Sequence, residues 1–99
     1  MVLNVSAASV GLSAAAESGV SAQMSAATAV AAQALVAVMP MGADLDSVHF
    51  AAALNAVGAS YIGIAIEHLA SRGLFAEAQS LAAATYTATE AISNTALTR

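Results

Sequence analysis

Pro40 is the only proline in the chain, and it falls between two long alanine-rich stretches that nothing interrupts as firmly. Proline lacks an amide proton and disfavours an α conformation at the residue before it, here Met39, so a helix arriving from the amino-terminal side must stop. Gly42 tolerates backbone angles that other residues resist. Asp44 is then placed to accept hydrogen bonds from the first free amides of a new helix, and Asp46 suits the positive end of its dipole. The pattern predicts an all-α fold. It is an antiparallel two-helix hairpin forming a single domain over residues 1–99, with helices at about 7–37 and about 45–90. The turn spans 38–45 with Pro40, Gly42 and Asp44 as its determinants, and a frayed tail covers 91–99.

Ser6 or Ser9 can cap the first helix. Gly11 and Gly19 weaken it by about 1 kcal/mol each relative to alanine. Val20, Met24, Ala27, Ala31, Leu35 and Val38 recur in steps of three and four, which makes one helical stripe. The second helix carries two. Phe50, Leu54, Val57, Tyr61 and Ile64 follow one face; Ile62, Ile66, Leu69 and Gly73 follow another, about 100° around. The glycines of Gly58-Ala59-Ser60-Tyr61-Ile62-Gly63 suggest close helix packing. Ser71-Arg72-Gly73 leaves open a kink or a break into two shorter helices.

The chain is 60% hydrophobic, largely through alanine, and only 8% charged, with a net charge of −4. Its two cations are Arg72 and Arg99. That argues against nucleic acid and against an anionic membrane surface, both of which need a basic patch. Cysteine is absent, so neither disulfides nor thiolate chemistry are available. Met1-Val2-Leu3-Asn4 lacks the basic start of a secretory signal peptide. Residues 18–43 are uncharged and long enough for a bilayer. However, Gln23, Ser25, Thr28 and Gln33 interrupt them and no flanking cation anchors them, which argues against a membrane span. Two antiparallel helices bury one stripe each, whereas the second helix has two. The surplus apolar face predicts association, either with another helical protein or with itself.

No constellation for catalysis emerges. His49 and His68 lie far apart on one helix, Glu67 and His68 point in different directions, and Asp44, Asp46, Glu77 and Glu90 suit a solvated surface. No histidine pair has helical metal spacing, and Gly58-x-x-x-x-Gly63 lacks the lysine of a phosphate-binding loop. Met24, Met39 and Met41 are apolar filler rather than metal ligands. The chain is therefore expected to be no enzyme and to need no cofactor or metal. One short pattern stands out near the end, Tyr86-Thr87-Ala88-Thr89-Glu90, which puts Tyr86 and Glu90 one turn apart on the same face.

Taken together, the length, the alanine-rich hairpin, the turn and this last motif resemble the mycobacterial PE family, partners of PPE proteins in ESX (type VII) secretion. The turn of such proteins often reads Pro-x-(Ala/Gly)-Ala-Asp-x-(Val/x)-Ser. Pro40-Met41-Gly42-Ala43-Asp44-Leu45-Asp46-Ser47 is similar, with Asp46 where valine is common. An alanine-rich segment with an aromatic follows, as in Phe50-Ala51-Ala52-Ala53, and Tyr86 with Glu90 matches the family's carboxy-terminal Tyr-x-x-x-acid motif. The family's namesake Pro-Glu pair is absent, since the corresponding region reads Val5-Ser6-Ala7-Ala8-Ser9.

The resemblance implies a heterodimer in which both helices lie against two helices of a PPE protein, completing a four-helix bundle. The expected interface residues are Val20, Met24, Ala27, Ala31, Leu35, Phe50, Leu54, Val57, Tyr61, Ile62, Ile64, Ile66 and Leu69. It implies that a cytosolic secretion chaperone acts through the PPE partner. The folded pair would leave the cytoplasm through the ESX machinery for the cell surface or beyond. Tyr86 and Glu90 would carry this chain's share of the export signal. Enzymatic members of the family carry extra carboxy-terminal domains, which a chain ending at Arg99 is expected to lack. The competing expectation is a self-associating structural protein, either a homodimeric bundle or a small membrane-active hairpin.

Overall fold

A computed structural model describes residues 3–98. It has two helices, α1 (Ala7–Val36) and α2 (Leu45–Leu97), packed as a hairpin, with no strand among the described residues. Each helix starts at a side-chain cap. The Ser9 amide donates to the Ser6 hydroxyl oxygen at 3.2 Å. At α2 the Ser47 amide donates to Asp44 Oδ2 at 3.0 Å, and the Ser47 hydroxyl donates to Asp44 Oδ1 at 2.8 Å. Both satisfy amides that the helix leaves without partners. These bonds to the ionised carboxylate, the backbone one first, hold the Asp44 pKa below its ordinary value.

Two expectations are corrected and one open alternative is resolved. The tail was expected to fray from residue 91, but α2 continues to Leu97. Neither proline nor glycine follows Gly73, so no breaker stops the helix before Leu97. The break left open at Ser71-Arg72-Gly73 does not occur, since the segment lies inside the single helix α2. Gly42 does not use a left-handed backbone, since none of the described glycines has a positive φ. What it supplies is room: a Cβ there would sit 2.8 Å from Asp44 Oδ1, against the oxygen that receives the Ser47 hydroxyl.

The chain forms two compact units, Ala22–Ala70 around the turn and Met1–Ser21 with Ser71–Arg99. In the turn unit, α1 ends four residues before Pro40, as the proline requires. The Val38 amide donates to Asn55 Oδ1 at 2.8 Å, and Asn55 Nδ2 donates to the Val38 carbonyl at 3.1 Å. One side chain thus satisfies both backbone groups of a residue outside any helix. Three residues further along α2, a Cβ on Gly58 would overlap the Leu35 carbonyl oxygen and lie 2.7 Å from its carbon. The two backbones touch, and only glycine permits it. Gly63, its sequence partner in the expected close packing, faces open space instead.

The other unit is held by polar pairs between small residues. Arg72 forms an ion pair with Glu17 at 2.8 Å, both about a quarter exposed (26% and 28%). Gln79 Nε2 donates to the Ser13 hydroxyl oxygen at 2.8 Å. Ala14 and Ala76 are buried, and a Cβ added at Gly11 would come into ordinary contact range of the Ala83 Cβ.

Along α2, the covered residues include Ala51, Asn55, Gly58, Ile62, Ala65, Leu69, Arg72, Ala76, Gln79 and Ala83, with Ser47, Gly73 and Ala82 beside them. Their steps alternate four and three, the period of a coiled-coil seam. On α1, Ala7, Ala14, Ser21, Thr28 and Leu35 recur every seventh position and are likewise covered. The seam is built mostly from small and polar residues, so most of the large apolar side chains lie outside it.

Candidate partner-docking face and export motif

Phe50, Leu54, Val57, Tyr61 and Ile64 each precede a seam residue of α2 by one position, so they line one flank of it. They are 40–68% exposed. The opposite flank, one position after each seam residue, reads Ala52, Ala56, Ala59, Gly63, Ile66 and Ala70. Its side chains are small except for Ile66. The helix therefore offers one large apolar stripe and one nearly smooth flank. Side chains of this size left in water at consecutive turns form the kind of patch that marks an interaction surface.

The expected interface residues separate on this geometry. Phe50, Leu54, Val57, Tyr61 and Ile64 are exposed together, and Ile66 is exposed on the other flank. Ile62 and Leu69 are half-buried in the seam, facing α1. On α1, Val20, Ala27 and Ala31 are exposed, while Met24 and Leu35 are half-buried. Leu35 in particular is occupied by the intramolecular contact with Gly58. Tyr61, Ile64 and His68 border a shallow concavity with Met24, Thr28 and Leu69. A second concavity, of about 300 Å³, lies beside the turn and is lined by Val38, Met39, Met41, Asp46, Ser47, Phe50, Ala51 and Leu54.

Tyr86 and Glu90 are both in α2 and both exposed, Tyr86 at 41%. The helix extends about two turns past Glu90, so the pair sits within regular structure, one turn apart on one face. Thr85 and Thr87 direct their hydroxyls to the carbonyls of Leu81 and Ala83, at 2.8 and 2.9 Å. Their donors are spent on the helix itself.

His49 and His68 are separated along α2, and no group of three or more histidines and acids is arranged to hold a metal among the described residues. By length and composition it is α2, rather than residues 18–43, that is apolar enough to cross a bilayer. Sequence reasoning did not find Asn55, Glu17, Arg72, Ser13 or Gln79, whose pairings all depend on which helix positions face inward. The recurrence of a small residue every seventh position, at Ala51, Gly58 and Ala65 and again at Ala76 and Ala83, was the signal that could have revealed them.

No curated protein and no solved structure matches this chain. The model of the PE family matches residues 3–93, nearly all of the sequence, and the chain belongs to the PE family.

Proposed function

We propose that this chain is the non-catalytic subunit of a PE–PPE heterodimer exported through an ESX type VII secretion system. The single observation that carries the reading is the exposed stripe Phe50, Leu54, Val57, Tyr61 and Ile64, left unburied by a hairpin whose own seam is mostly small and polar residues. Two helices of a PPE partner laid on this side complete a four-helix bundle and withdraw the stripe from water. Because each large side chain of the stripe is already partly covered in the hairpin, burying the remainder contributes roughly half of the 1.5–3 kcal/mol of a fully exposed side chain. Family membership supports the choice of partner. The pair is made in the cytoplasm, with the secretion chaperone engaging the PPE subunit, and is delivered to the cell surface or outside the cell.

Tyr86 and Glu90 supply this subunit's share of the export signal. Their exposure on an intact helical turn suits recognition by the secretion machinery. Tyr86→Ala is expected to abolish export while the heterodimer still forms. Normal export of that variant would remove the motif from the account.

The same exposed stripe would also be covered by self-association, and the length and hydropathy of α2 keep a membrane-active hairpin as the alternative form of that reading. A soluble, monodisperse homodimer would favour the bundle, and partition into detergent the hairpin.

A further inference from the structure

The concavity beside the turn has an apolar floor and one free charge. Met39 and Met41 are largely exposed on its edge, Phe50 and Leu54 form a wall, and Asp46 lies among the lining residues. Asp44, two positions away, has both carboxylate oxygens engaged by Ser47. Asp46 makes no hydrogen bond or ion pair among the described residues and is exposed. Phe50 and Leu54 also begin the stripe assigned above to the PPE partner, so the concavity continues that face to the tip of the hairpin.

A second copy of the chain is a poor occupant. The net charge is −4, and two tips brought together would oppose Asp46 with like charge. A complementary occupant is apolar with a cation beside it. Methionines at the edge can adapt to the shape of such a side chain.

Resting on the heterodimer reading, we infer that the tip concavity is a separate anchoring point. It receives a large apolar side chain from a helix of the PPE partner, with a lysine or arginine one turn away paired to Asp46. The anchor sets how far along the hairpin the partner helix sits, because the stripe alone repeats every three or four residues and leaves its register open.

The test compares the heterodimer coexpressed with wild type, with the double variant Met39→Ser/Met41→Ser, and with Asp46→Asn, measuring affinity from the dissociation of each preformed complex on dilution at two salt concentrations. The double variant is expected to weaken binding at least about tenfold, as both methionines leave the groove. Asp46→Asn is expected to weaken it about threefold or more at low salt and to flatten the salt dependence. Circular dichroism of each variant should match wild type, since these side chains are exposed. A complex of unchanged affinity and salt dependence in both variants would overturn this inference alone. Wild-type chain that joins no PPE protein would overturn the heterodimer reading and this inference with it. Disulfide-linked homodimers formed readily by Met41→Cys in the presence of the partner would overturn it in favour of a second copy at the tip.

Discussion

Asn55 holds both backbone polar groups of Val38, accepting from its amide at 2.8 Å and donating to its carbonyl at 3.1 Å. It ties the end of α1 to α2 at the point where Pro40 has ended the regular ladder. Asn55→Leu leaves both groups without partners in a part-buried position, at a cost of about 1–3 kcal/mol. Asn55→Asp keeps the acceptor but points a second oxygen at the Val38 carbonyl, so it should recover stability as the introduced acid is protonated. Urea unfolding of the protein in its stable assembly, at neutral and acid pH, checks both.

Gly58 and Gly63 should respond in opposite directions. Gly58→Ala drives a methyl group into the Leu35 carbonyl and must part the helices, an overpacking cost of about 1–3 kcal/mol. Gly63→Ala meets open space in mid-helix and should stabilise by about 0.5–1 kcal/mol. Thermal unfolding of the two variants side by side gives the comparison, and equal effects would contradict the placement of the seam.

The Glu17–Arg72 pair lies on a seam of small residues and is about a quarter exposed. Arg72→Leu strands the Glu17 carboxylate there and should cost about 1–3 kcal/mol. Adding Glu17→Leu should restore most of that loss, because two apolar residues suit the seam as well as the ion pair does. A double-mutant cycle by chemical unfolding measures the coupling.

Asp44 carries a pH dependence of defined sign. Its folded pKa is lowered below the unfolded value of 3.8, so the unfolded chain binds the proton more readily. The stabilisation is full above that value and is lost as pH falls below it and through the lower folded pKa. Asp44→Ala should lower the melting temperature at neutral pH and flatten that part of the acid limb. A variant with an unchanged acid limb would show that the cap does not contribute.

The hairpin was legible because its determinants are local. Pro40 stops one helix and Asp44 starts the next, and each acts on the backbone within a turn of itself. The surplus apolar stripe was legible for a similar reason, since Phe50 to Ile64 are large and regularly spaced. The seam was harder to see. Ala51, Gly58, Ala65 and Ala76 are inconspicuous in a chain full of alanine, and Asn55, Arg72 and Gln79 look like surface residues until the partner helix is in place. Weighting residues by size put Ile62 and Ile66 on one face, where the three-four period places Ile62 inside and Ile66 out. The carboxy-terminal end was underestimated because no single residue marks where it stops, and the absence of a breaker carries the helix on to Leu97.

Coexpression with a PPE protein, set against expression alone and followed by mass measurement in solution, decides between the heterodimer and self-association. The chain alone is expected to be poorly soluble or molten, and with its partner to emerge as a stable helical complex of one copy each. A well-folded oligomer of this chain alone that ignores PPE proteins would contradict the heterodimer.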